Sequence, residues 1–247
     1  MAETKHILIL ANSIRAKKYC VAGKEVTPKE NEKYDIGPWI RLADAADPQG
    51  AVAYGNTIST ANGSSRAVRP LDIIKVTVTG PCGKQDHPED WFFDTTKRWE
   101  IVNTAVHANL TDMQDTPTAL WHDGSGAASV SAGYVRQMGK NAATLYLLKA
   151  PKEWHFLFWQ NQVPDFNNPG QMKIKKHREL SFQYAGQCHE FSVTDPNFTT
   201  RHKIYNRMTD TPQLLKVPDP VNVFFCLSLT PEFNNHHYKI GATVFEP

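Results

Sequence analysis

HILILANSIRAKKYCVAGKEV, residues His6 to Val26, decides how the chain is read. An apolar run, Ile7 to Leu10, is followed by the polar pair Asn12-Ser13 and the basic residues Arg15, Lys17 and Lys18. A second apolar run, Tyr19 to Ala22, ends at Gly23. Two short strands joined by a polar, positively charged loop are expected, with Asn12 and Ser13 supplying the turn because their side chains bond nearby backbone. Pro38 to Leu42 then reads as a third strand carrying Trp39 and Arg41. The plainer alternative is an ordinary hairpin with solvated lysines.

Composition narrows the classes. The chain has 247 residues, 40% of them hydrophobic and 21% charged, the values of a foldable globular protein. A formal net charge of +2 means that any basic footprint must be local. Cys20, Cys82, Cys188 and Cys226 never form C-x-x-C, so no zinc ribbon or redox pair is indicated. No stretch approaches the length needed to span a bilayer, and none reads as a secretory signal. A soluble, cytoplasmic protein with no membrane contact is expected.

Further along, residues 43 to 70 have little periodicity and read as a long connection, with one short strand near Ala51 to Tyr54. Leu71 to Val78 is a β-branched strand. From Trp99 the apolar residues Val102, Val106, Leu110 and Met113 recur at spacings of three and four, which predicts one long helix before Pro117. Residues 122 to 141 are poor in large apolar groups and read as the passage between two halves. Beyond them nearly everything is strand, including 144–148, 154–159, 172–177, 180–184, 188–193, 221–229 and 238–244, with a short helical turn within 197–208. The expectation is a mostly β protein with minor α, built as two OB-like Greek-key barrels. Residues 1–125 would form the first, with the long helix near its end, and 126–247 the second.

Leu10-Ala11-Asn12-Ser13 and Tyr19-Cys20-Val21-Ala22-Gly23 resemble the opening motif of the dual OB-fold-containing domain family of bacteria. The resemblance continues at Trp39-Ile40-Arg41, Leu71-Asp72-Ile73-Ile74 and Pro88-Glu89-Asp90-Trp91. It resumes at Val193-Thr194-Asp195-Pro196, Leu227 to Phe233 and Tyr238-Lys239. Leu42 departs from a usual proline, and Thr230 from a common glycine. The resemblance implies tandem OB folds and a nucleic-acid-binding role, often as an accessory or sensor within bacterial conflict and defence systems.

OB folds hold single strands by pairing a basic groove with aromatic faces on which bases stack. Candidates in the first half are Arg15, Lys17, Lys18, Trp39 and Arg41. In the second half Lys173, Lys175, Lys176 and Arg178 form the densest basic run, and Trp91 and Tyr184 are stacking partners. Lysines on a strand also serve to protect a sheet edge, the competing reading.

Asn12, Ser13, Asp195, Tyr238 and Lys239 could converge as a pocket between the barrels. The chain carries no G-x-S-x-G, P-loop or H-E-x-x-H. His236 and His237 would point to opposite faces of a strand, and His87, His107, His122 and His155 lack metal spacing, so no metal, cofactor or catalytic residue is expected. The expected function is non-catalytic binding of DNA or RNA, single-stranded or structured, beside a protein effector encoded nearby. The alternatives are an adaptor or small-nucleotide sensor, and a hydrolytic enzyme using a site between the barrels.

Overall fold

The computed structural model of the chain describes residues 2–15, 18–29, 34–61, 64–139, 142–217 and 220–247. The first half contributes β1 (Glu3–Arg15), β2 (Lys18–Pro28), β3 (Tyr34–Ala43), β4 (Ile58–Ala61), β5 (Ser64–Ala67), β6 (Asp72–Pro81), β7 (Asp90–Phe93) and β8 (Glu100–Thr104). Five of these close on themselves. β1 pairs β2, β2 pairs β3, β3 pairs β7 in parallel, β7 pairs β6, and β6 returns to β1. One parallel contact in an otherwise antiparallel ring is what a Greek-key OB barrel requires. β8, β4 and β5 extend the sheet from β6.

Beyond a single turn of helix, α1 (Leu110–Met113), come β9 (Ser129–Ser131) and α2 (Ala132–Met138). The second sheet follows with β10 (Leu145–Lys149), β11 (Trp154–Pro164), β12 (Met172–Tyr184), β13 (Gln187–Val193), α3 (Pro196–Arg201), α4 (Ile204–Arg207), β14 (Gln213–Leu214), β15 (Phe224–Leu229) and β16 (His236–Phe245). Here β11, β12, β13, β16 and β15 lie side by side, and β13–β16 is again the parallel pair. The order of strands in the first ring is therefore repeated, and the chain is mostly β with tandem OB folds. No helix among the described residues is long and apolar enough to cross a membrane.

The continuous apolar run in β1 has a physical cause. Ile7 and Ile9 point into the first barrel, against Ile74, Val76 and Trp99. Leu8 and Leu10, on the other face, join Leu145, Leu147, Phe224, Cys226, Ala242 and Phe245 of the second half. A strand buried on both faces loses its alternation. β15 does the same from the other side, with Phe225, Leu227 and Leu229 in the second core and Phe224 and Cys226 in the shared one. The described residues thus form three cores, and the middle one joins the barrels. Burial of such side chains contributes about 1.5–3 kcal/mol each.

Several expectations are corrected. Asn12 and Ser13 are not a turn; they sit within the β1–β2 ladder opposite Val21 and Cys20. The long helix from Trp99 to Met113 does not form. Residues 100–104 pair with Asp72–Lys75 as β8, because Ile101, Val102 and Thr104 are β-branched and the edge of β6 is free to take them. Only a 3-10 turn at His107–Asn109 and α1 are helical there. Trp99 is nonetheless a core residue, edge-on to Phe93 at 5.3 Å. The connection from 43 to 70 is more ordered than expected, with Val52 bridged to Tyr19 and β4–β5 forming a hairpin.

Candidate nucleic-acid interface and the seam between the barrels

β11 and β12 pair over eleven successive positions, from Trp154–Phe182 to Pro164–Met172. The inner end of this hairpin is core and the outer end is exposed, ending in Phe166 at 87% exposure. Residues directly opposite share a face. Lys173 and Lys175 therefore lie with Val163 and Asn161, and next on that face His177 stacks flat on Trp159, centroids 4.5 Å apart. Lys173 is ion-paired to Asp165.

Lys176 and Arg178 occupy the opposite face, opposite Gln160 and Phe158. There Lys176 Nζ sits 4.7 Å above the ring of Tyr205, and Arg178 donates to the Tyr205 hydroxyl. Arg207 lies over Phe158. Among the described residues none of these three cations has a carboxylate partner. Gln160, directly opposite Lys176, also lines a groove with Asn161, Gln162, Ile174 and Asp210. The expected basic run is thus divided between two faces, and α4, within the expected helical turn of 197–208, adds Tyr205 and Arg207.

Other expected contacts lie elsewhere. Lys18 is exposed and ion-paired to Asp47, Lys17 lies outside the described residues, and of Arg15 only the backbone is described. Trp39 donates to Asp115, which also holds Lys24 and accepts from the Leu147 amide, so this ring ties β3 to β10. Trp91 is half-buried beneath Lys5. Tyr184 is also half-buried, its hydroxyl donating to the Pro117 carbonyl, at the far end of β12 from the lysines.

Arg41 is no surface cation. It is buried at the seam, where Nε donates to Asp90 at 2.6 Å and Nη2 to Glu89 at 3.2 Å. It also crosses to the second half, reaching the Thr144 hydroxyl at 3.2 Å, Ser228 Oγ at 3.5 Å and the Leu229 carbonyl at 3.4 Å. Burial alone would ease its proton off, but Asp90 and Glu89 outweigh it and raise the pKa. Burial raises that of Glu89, against the pull of Arg41. Four stretches far apart in the chain, around Arg41, Glu89-Asp90, Thr144 and Ser228, meet here.

Two histidines complete the seam. His87, from the β6–β7 connection, places Nδ1 3.1 Å from the Thr144 hydroxyl; His237, from β16, places Nδ1 2.8 Å from the Thr230 carbonyl. Both rings are buried, edge to face, 5.5 Å apart. Burial and then the charge of Arg41 push His87 well below the usual imidazole range. Nε2 of each ring has no hydrogen-bond partner. A buried polar atom left in that state costs about 1–3 kcal/mol.

The five residues expected to form an inter-barrel pocket do not gather. Asn12 donates to the Val68 carbonyl inside the first half. Asp195 caps α3 through the Asn197 and Phe198 amides and also accepts from Val244. Lys239 is buried, donating to the Ala127 carbonyl at 2.6 Å and to His189 Nδ1 at 3.2 Å. Burial brings Lys239 down to about 8, and burial with the neighbouring Lys239 brings His189 down to about 4. Tyr238, adjacent in β16, faces outward and is partly exposed. A different cavity, of about 410 Å³, opens beside Arg41, Asp90, Lys18 and Tyr19, with Pro231 of the second half on its wall.

A family model described as the dual OB-containing domain matches residues 5–244. A search of the curated proteins finds no match.

Proposed function

The chain belongs to the dual OB-containing domain family, and from that footing we propose that it binds single-stranded nucleic acid along the outer half of the β11–β12 hairpin. One observation carries the reading. Lys176 and Arg178 contact the exposed Tyr205, and Arg207 lies over the ring of Phe158 directly opposite Arg178, so phosphates and a base can be held together there. Lys173 and Lys175 on the reverse face add long-range attraction. The strand is held without being cut, and the chain acts in the cytoplasm as an accessory to a separately encoded effector of a bacterial defence system. The family resemblance supports that setting.

The test is fluorescence anisotropy with labelled single-stranded DNA, single-stranded RNA and duplex at about 50 and about 200 mM salt. Binding that weakens linearly on a log-log salt plot, with the oligonucleotide intact afterwards, is expected. Absence of binding to all three would overturn the reading.

The cavity beside Arg41 favours a second reading, a pocket for one small nucleotide. At about 410 Å³ it falls within the volume range of ligand sites, and Tyr19 and Lys18 offer a ring and a cation. Affinity that stays nearly constant with salt, and is lost on Tyr19→Ala, would mark that function.

A further inference from the structure

We propose that Asp86, His87 and His237 form a binding site for one divalent transition-metal ion, zinc fitting best, set between the two barrels. One donor atom from each of these three residues lies within 4.8 Å of the others. His87 and Asp86 come from the first barrel and His237 from the second.

Proton accounting supports the assignment. His237 Nδ1 faces a carbonyl, which can only accept, so that nitrogen carries the hydrogen. The Thr144 hydroxyl has one hydrogen, which it donates to Glu89, so its oxygen accepts from His87 Nδ1. Both Nε2 atoms are then bare lone pairs, buried, on rings whose centroids are 5.5 Å apart, with no donor to satisfy either. Two such lone pairs and a carboxylate are a ligand set for a cation of intermediate softness, such as zinc, and a poor one for calcium or magnesium, which take oxygen.

The surroundings fit as well. Metal-binding histidines characteristically have the other ring nitrogen held by a carbonyl, carboxylate or hydroxyl, the places taken here by Thr230 and Thr144. Arg41 stands close by, but its charge is already balanced by Glu89 and Asp90. Tetrahedral zinc would draw the donor atoms to about 3.3 Å apart, as metal–ligand bonds of about 2.0–2.1 Å require. Asp86 lies on a bend and is only half-buried, so its carboxylate can swing inward. Three protein ligands leave a fourth position open to water.

The experiment uses the full chain, stripped with chelator and dialysed, titrated with zinc by calorimetry and with cobalt(II) by visible absorption. One equivalent is expected, with the intense d–d bands of four-coordinate cobalt and a higher melting temperature, because the ion bridges the barrels. His87→Gln and Asp86→Asn should each weaken binding at least tenfold, while His236→Ala, at the half-buried neighbour, should leave it unchanged. Should His87→Gln fail to fold, Asp86→Asn carries the test. No stoichiometric binding by the unaltered chain, or unchanged affinity in either folded ligand variant, would overturn the site.

Discussion

Arg41 and Thr144 belong to different barrels, yet the guanidinium Nη2 of one lies 3.2 Å from the hydroxyl of the other, and both are buried. The same guanidinium is held by Asp90 and Glu89 from its own barrel. Removing it leaves two buried carboxylates without their counter-charge, which costs about 3–5 kcal/mol. Arg41→Ala should therefore lower the melting temperature by about 10 °C or more, read by calorimetry. Arg41→Lys should recover little, since an ammonium cannot reach both acids and the Leu229 carbonyl from one place. A melt unchanged in Arg41→Ala would refute the seam as a stabilising contact.

The two faces of the β11–β12 hairpin should separate by mutation. Lys176→Glu with Arg178→Glu reverses charge beside Tyr205 and should weaken oligonucleotide binding by more than tenfold, lowering the log-log salt slope by about two, one per lost phosphate contact. Lys173→Glu with Lys175→Glu acts from the reverse face and should have the smaller effect, chiefly on the association rate. Equal losses in both pairs would show that the strand does not follow the Tyr205 face.

His189 predicts acid sensitivity. In the folded chain its pKa is about 4, against an ordinary 6.5. Above 6.5 it is neutral in both states and contributes nothing to the pH dependence. Between 6.5 and 4 the unfolded chain binds a proton that the folded chain refuses, so stability falls as pH falls through that window. The slope from this one group is at most about 1.4 kcal/mol per pH unit. Urea midpoints at pH 7, 6 and 5 should fall in sequence, and His189→Gln should flatten the trend. An equally steep trend in that variant would assign the sensitivity elsewhere.

Gly23 should tolerate no side chain. A Cβ built there would lie 1.9 Å from the Leu8 carbonyl oxygen, which is backbone of the barrel wall and cannot step aside. Gly23→Ala is expected to yield insoluble chain or one with a much lower melting temperature. A soluble variant of unchanged melting temperature would contradict the β1–β2 packing.

Local patterns made the strands legible: the alternation of Leu180, Phe182 and Tyr184, the β-branched run at Asp72–Val78, and the Ala185-Gly186 turn, whose φ values of 50° and 78° suit a tight hairpin. Spacing misled at Trp99–Met113, where apolar residues three and four apart serve separate cores, Trp99 inside the first barrel and Leu110 and Met113 in the shared one. The basic hairpin was legible as charge but not as two faces, since that needs the register with β11. The seam was hidden for a different reason. Arg41 meets acids 48 and 49 positions on, and His87 meets a histidine 150 positions on, separations that no spacing rule covers. Glu89 and Asp90 could have been singled out from their place in the Pro88–Trp91 stretch; His87 and His237 offered no such signal.

Leu8 and Leu10 on one side, and Leu147, Phe224 and Cys226 on the other, fill a core that neither barrel owns. Either half expressed alone would present that apolar wall to water, where it would draw further chains into aggregates. The two barrels are therefore one unit of folding, to be expressed, truncated or fused only as a pair.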